Sequence, residues 1–420
     1  MPGMNRSRLG VVALIAAAFA TVPQGAASAA DIPDCAWDLK VSPDTVNVFY
    51  PDSAAAYWVL PFTVEEGLRI KLSGRYPDSR YASIQVYKEG GGLFESNGVP
   101  SGLTDHRIQP DAGSANPWQQ QASPGGRFTV TVSPDTAPGQ VNTLPLAPPG
   151  TPAGSPGNIV YRVYLPAGGD FDQVPLPDVT FERDGVAQPV PTCESGQTAV
   201  AGAGQARGDA ATSAVAARPA AERAAPAFAR PDLDDRPVGG FPNADSAYLY
   251  ADVTPPVADR VLVVRGKAPR SVQGPHPAPW PSAGKDVRYW SMCTNLTLPP
   301  FQVVRNLLPD GTSDYGCRAD DQTGLDSGGH YSYVVGREAQ RQAIEQVPGV
   351  TFLPFSADRP AATHRIILRN MVADPGFAQA VQNVPPGGDP ASAAAVMGDY
   401  YPVAKVCSLA ALSARGPAAC

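Results

Sequence analysis

The stretch RYASIQVY (Arg80–Tyr87) returns later in the chain as RYWSMCTN (Arg288–Asn295). Five further pairs accompany it in the same order. YPDSAAAYWV (Tyr50–Val59) matches FPNADSAYLY (Phe241–Tyr250), and IKLSGRYP (Ile70–Pro77) matches LVVRGKAP (Leu262–Pro269). RFTVTVS (Arg127–Ser133) matches HYSYVVG (His330–Gly336), NTLPLA (Asn142–Ala147) matches TFLPFS (Thr351–Ser356), and YRVYLP (Tyr161–Pro166) matches LRNMVA (Leu368–Ala373). Short matches kept in one order predict a tandem duplication. Each piece is alternating or β-branched and is bounded by Gly, Pro, Asp or Ser, which are strand signals. RFTVTVS, for example, sends Phe128, Val130 and Val132 to one face and Thr129 and Thr131 to the other. The expected fold is mainly all-β: two β-sandwiches, 31–194 and 238–420, whose apolar rows meet between paired sheets. Helical spacing occurs only in REAQRQAIEQV (Arg337–Val347) and FAQAVQNV (Phe377–Val384), so a few short helices belong to the second copy.

Residues 195–237 between the copies are rich in Ala, Gly and Pro, with almost no β-branched or aromatic side chains. Such a segment cannot bury enough apolar surface to order itself, and a flexible linker is expected. Residues 1–30 combine Arg6 and Arg8, the apolar run LGVVALIAAAFA and the small residues of ASA, the pattern of a signal peptide. A secreted, extracellular protein without a membrane span follows. The cysteine count agrees with export. Cys35, Cys193, Cys293, Cys317, Cys407 and Cys420 form an even set without the close pairs of a zinc site. Spacing only ranks the possible pairings. Cys35–Cys193 would tie the ends of the first copy, Cys293–Cys317 would close the connection leaving the repeated strand, and Cys407–Cys420 would fasten the C-terminal tail. On this reading the sandwiches fold independently, and Cys35→Ser would destabilise only the first. A net charge of −7 excludes the basic footprint of a nucleic-acid binder.

PNADSAYLYADV, RVLVVRGKAP and VRYWSM resemble the bacterial domain-of-unknown-function families 1254 and 1214, in which a NPDTLY-like start leads to a RYYSM-like strand. GRYPDSRYASIQVY with DHRIQPDAGSANPW (Asp105–Trp118) is similar to secreted actinobacterial relatives. The resemblance spans most of both copies and implies tandem jelly-roll-like sandwiches without a defined activity. This chain departs from NPDTLY, reading Asn243-Ala244-Asp245-Ser246-Ala247-Tyr248.

Chemistry has few places to sit. There is no G-x-S-x-G elbow, no phosphate loop and no H-E-x-x-H, and His106, His276, His330 and His364 are scattered. No metal site is expected from them. The run DYGCRADDQTGLD (Asp314–Asp326) gathers Asp320, Asp321 and Asp326. Three readings stay open there: a solvated loop, a calcium site, or an acid and base pair for glycoside hydrolysis. The repeated arginines, Arg80 with Arg288 and Arg162 with Arg369, need a carboxylate or a ligand on a half-buried strand. Either an Arg–Asp pair braces each sandwich, or Arg288 and Arg369 grip a glycan on which Tyr289 or Trp290 stacks, with Tyr400 and Tyr401 extending the wall. The expected function is a monomeric, secreted protein that binds an extracellular glycan or cell-surface ligand. The alternatives are a glycan-active hydrolase and a purely structural envelope protein.

Overall fold

The computed structural model describes residues 32–193, 225–233 and 240–420. The predicted signal peptide lies outside them, as do 195–224 and 234–237 of the predicted linker. The first half contributes β1 (Leu39–Val41), β2 (Ala55–Thr63), β3 (Arg69–Arg75), β4 (Ser79–Tyr87), β5 (Glu95–Ser96) and β6 (Val99–Pro100). It continues with β7 (Gly102–Thr104), β8 (Arg127–Ser133), β9 (Thr143–Pro145), β10 (Pro156–Pro166), β11 (Asp178–Arg183) and β12 (Val186–Val190). The second half contains β13 (Ser246–Val253), β14 (Arg260–Lys267), β15 (Val287–Leu296), β16 (Arg305–Leu307) and β17 (Ser313–Tyr315). It ends with β18 (Cys317–Ala319), β19 (His330–Gly336), β20 (Thr351–Pro354), β21 (His364–Ala373) and β22 (Val403–Ser408).

Each half is a sandwich of two sheets. The sheet β1-β2-β10-β4-β7 packs on β12-β11-β3-β8-β9, and β13-β21-β15-β18 packs on β20-β19-β14-β22. The order β2-β10-β4-β7 reappears as β13-β21-β15-β18. In both halves a parallel pair, β8 with β9 or β19 with β20, follows the strand pairs β3–β8 and β14–β19. Registers agree as well. Arg162 lies opposite Tyr57 and Ser83, and Arg369 lies opposite Tyr248 and Ser291. Even a packing detail repeats: a Cβ on Gly74 would meet Phe128 at 2.7 Å, and one on Gly266 would meet Tyr331 at 2.5 Å. Glycine is needed wherever an aromatic ring lies this close over a strand.

Alternation fills the cores. Trp58, Leu60 and Phe62 of β2, Ile84 and Val86 of β4, and Ile159, Tyr161 and Val163 of β10 meet Phe128, Val130 and Val132 of β8. The second core repeats this with Leu249, Trp290, Met292, Ile366 and Leu368 against Leu262, Val264, Tyr331, Tyr333 and Val335. Among the described residues, only the second half covers the outer face of its other sheet. Ile344 of the helix Arg341–Glu345 and Leu412 of the helix Leu409–Arg415 bury Val261, Val263 and Val334 there. The helix expected over Phe377–Val384 is a single short turn, Val381–Asn383. Its apolar spacing reflects Phe377, Ala380, Val381 and Val384 joining the second core.

Part of the predicted linker is not a tether. Phe228 is completely buried in the second core, Ala229 bridges to Tyr250, and Arg230 donates to the carbonyls of Val381, Gln382 and Val384. One aromatic residue in an Ala/Pro-rich context supplied the anchor that composition alone discounted. Three disulfides, Cys35–Cys193, Cys293–Cys317 and Cys407–Cys420, form the pairs expected from the spacing. They fit an oxidising compartment. Among the described residues no helix is long and apolar enough to cross a membrane.

His364, buried on β21, accepts from the Ser356 N–H through Nε2 (2.9 Å) and meets the Ala362 carbonyl through Nδ1 (2.9 Å). That pattern requires the neutral Nδ1–H ring, and burial pushes its pKa from 6.5 down to about 4. Between these values the unfolded chain binds the proton and the folded chain does not. Its contribution is therefore present above pH 6.5 and is lost as the pH falls through the folded value, about 3 kcal/mol in all. His364→Gln should remove that slope. The check is urea unfolding of both proteins from pH 7.5 to 4.5, and a pH-independent difference between them would refute it.

Candidate functional site

The two sandwiches meet through the outer faces of the sheets that carry the repeated strands. Every residue of β4 and of β15 is buried. One face serves the core and the other serves the partner half: Ala55, Tyr81 and Tyr164 pack against Tyr289, Ala319 and Met371. The contacts are reciprocal. Arg80 of the first half binds Asp320 (2.5 Å) and Asp321 (2.6 Å) of the second, and the equivalent Arg288 binds Asp105 of the first. Tyr81 donates to Asn243 (3.0 Å), and its equivalent Tyr289 donates to Asp52 (2.9 Å). Contact of i with j and of j with i defines an isologous interface, so the halves are related by an approximate two-fold axis.

Arg80, Arg288, Asp320 and Asp321, all singled out in the sequence, therefore serve this joint. The expected brace within each sandwich is corrected: the pairs run between sandwiches. Burial pushes Asp320 up to about 6 while Arg80 pulls it back. Asp326 lies apart, beside Arg265 (3.3 Å) and His330 (3.4 Å). Asp314 is held by Arg318 and Arg341. These carboxylates face guanidinium groups rather than one another, which suits neither a calcium ion nor a facing acid and base. Asp52 lies near the sulfurs of Cys293 and Cys317, but both are committed to their disulfide and cannot ligate.

The glycan platform is corrected too. Tyr289 and Trp290 are 0% and 1% exposed, and Arg288 is buried beside Trp280. Trp290 packs on Tyr331 and Tyr333 inside the second core, so no ring face is free for a sugar. Tyr400 packs on Phe377, and the Tyr401 hydroxyl exchanges hydrogen bonds with the backbone of Phe228. Of the ligand residues expected from the sequence, Arg369 lines an open space between the halves.

That space is a cavity of about 190 Å³ between the halves. Equivalent residues enter it from both sides: Tyr57 with Tyr248, Val160 with Ile367, Tyr50 with Phe241, and Arg162 with Arg369. It therefore lies along the two-fold axis. Tyr50 and Phe241 hold left-handed backbone at φ 57° and 50°. For bulky residues this costs about 1–2 kcal/mol each. The geometry turns their carbonyls onto the guanidinium groups, Tyr50 toward Arg369 (3.4 Å) and Phe241 toward Arg162 (2.5 Å). Each guanidinium also lies over a tyrosine ring, Arg162 over Tyr57 at 5.0 Å and Arg369 over Tyr248 at 5.4 Å.

The symmetry breaks at the counter-charge of the two arginines. Arg369 is neutralised by Asp52, which also accepts from Ser291 (2.7 Å). The residue equivalent to Asp52 is Asn243. Arg162 instead donates to the Gln85 side-chain carbonyl and to the Tyr87 hydroxyl (2.6 Å), and the Gln85 amide passes on to Asn243 (2.7 Å). Among the described residues no carboxylate hydrogen-bonds Arg162. The surrounding tyrosines Tyr87, Tyr57, Tyr164 and Tyr248 favour its charged form against the opposing effect of burial. Sequence reading paired Arg162 with Arg369, and it aligned Tyr57 with Tyr248, without bringing these side chains together. The visible signal was that one matched stretch begins YPD and the other FPN.

No family model matches this chain, and no curated protein matches it. Among solved structures it is similar to an uncharacterised protein from Burkholderia cenocepacia, at 15% identity and a TM-score of 0.49, over 89% of this chain and 82% of that one. The VPA0106 protein from Vibrio parahaemolyticus shares 13% identity at a TM-score of 0.41, over 85% of this chain and 90% of the other. Similarity at this level says nothing of activity.

Proposed function

We propose that this is an exported, disulfide-braced binding protein whose ligand is a small, largely apolar molecule held between its two sandwiches. The observation that supports this reading is the cavity on the two-fold axis, lined by aromatic and aliphatic side chains with a few convergent polar groups. Pre-formed apolar cavities of this kind are the usual places for small ligands. Two features weigh against the hydrolase alternative: Asp320 and Asp321 are spent on the interface, and the other loop carboxylates are matched by arginines of their own half.

Binding should raise the unfolding temperature in proportion to ln(1 + [L]/Kd). The experiment is a thermal-shift screen of small aromatic and branched aliphatic compounds, with calorimetry on those that stabilise the protein. Val59→Tyr is the control. It copies Tyr250, which occupies the equivalent position on β13 and lines the same cavity. The larger ring should fill the space and abolish binding while leaving the fold intact. Equal stabilisation of Val59→Tyr and the natural protein would place the ligand elsewhere and end this reading.

A further inference from the structure

Resting on that reading, we infer that the ligand is a monoanion: a small carboxylate whose head group sits on Arg162 and whose apolar body fills the cavity. The lining includes two guanidinium groups and, among the described residues, no carboxylate. Arg369 is already matched by the buried Asp52 behind it, so among the described residues the cavity carries one guanidinium without a carboxylate partner, that of Arg162. The nearby Asp245 does not line the cavity. Its two oxygens accept from Tyr81 (2.6 Å) and Thr104 (2.5 Å). Neutral acceptors and ring faces hold Arg162 in place without cancelling its charge. A buried cation in this state favours an anionic partner, and a guanidinium offers a planar fork that suits a carboxylate.

The rest of the lining sets size and character. A volume of about 190 Å³ corresponds to the space of about six water molecules. Aromatic rings and Val160 surround it, so a charge at one end and hydrocarbon at the other match its surface. A second hydrogen bond is available from one of the tyrosines around Arg162. The Tyr248 hydroxyl accepts from the Asn243 N–H (3.3 Å), and its own proton can be donated to the ligand. A dianion would exceed the single charge on offer. A sugar would leave its hydroxyls against hydrocarbon.

The test compares acids with their neutral amides by calorimetry at pH 7.5: benzoate against benzamide, and 3-methylbutanoate against 3-methylbutanamide. The acids should bind the natural protein at least tenfold more tightly than the amides. Gln85→Glu places a carboxylate directly on Arg162 and should erase that preference while the amides bind as before. Asn243→Asp, which copies Asp52, serves the same purpose if Gln85→Glu fails to fold, and the acid-to-amide ratio of the natural protein decides alone if both fail. Amides that bind as tightly as acids would overturn the anion inference and leave the apolar cavity reading standing. Failure of every probe would overturn both.

Discussion

Asp52→Asn should lower the stability of the whole protein by roughly 3–5 kcal/mol, the usual cost of stripping one partner from a buried ion pair. Asp52 is fully buried and accepts from Arg369, from the Tyr289 and Ser291 hydroxyls (2.9 and 2.7 Å) and from the Ala54 N–H (3.0 Å). The same amide is tolerated at Asn243 because Gln85 supplies a carbonyl to Arg162. At Arg369 the residue equivalent to Gln85 is Cys293, whose sulfur is bound to Cys317 and offers no oxygen. The amide that suits one half therefore fails in the other. Urea unfolding measures the loss, and Arg369→Met combined with Asp52→Asn should recover most of it, because the pair then leaves no unmatched charge. A loss below 1 kcal/mol for the single variant would mean that Arg369 finds another counter-charge.

The architecture was legible because its signals are local. Strand alternation, bounding turn residues and six ordered matches are all visible within short windows, and the matched residues fall at equivalent ladder positions. The way the halves pack was not legible, since nothing local says which outer face meets which. There was one hint. The strand face opposite the core carries Tyr81, Ser83, Gln85 and Tyr87, and later Tyr289, Ser291 and Cys293, where a solvated strand would carry Lys or Glu. Polar but uncharged rows of this kind suit a buried polar interface. The repeated arginines showed the need for partners and left their location open, because a partner across an interface is as distant in sequence as Asp320 is from Arg80. Trp290 illustrates the opposite error. A tryptophan on a strand with an arginine two residues before it looks like a platform for a ligand, yet alternation had already assigned it to the core.

Loss of the Cys35–Cys193 bond should reach both halves. The bond closes a separation of 158 residues, and loop-closure entropy makes it worth about 5 kcal/mol. Its surroundings already join the ends of the first half, since Ala36 exchanges backbone hydrogen bonds with Pro191 (2.8 Å) and Cys193 (3.0 Å). Opening the bond leaves those contacts in place and frees mainly the unfolded chain, so the native fold should persist at reduced stability. Independent sandwiches would confine that reduction to the first. The interface makes this untenable. If the first half unfolds, Arg288 and Arg369 lose Asp105 and Asp52, Asp320 loses Arg80, and the apolar row of Tyr289, Ala319 and Met371 meets water. The cost of exposing that face ties the second half to the first. In the Cys35→Ser/Cys193→Ser variant, amide hydrogen exchange should therefore show β4 and β10 of the first half losing protection together with β15 and β21 of the second. Protection kept at the natural level in β15 and β21 while β4 and β10 open would restore the picture of independent sandwiches. Shared loss would mean that the cavity between the halves exists only while both are folded, which ties ligand binding to the stability of the entire molecule.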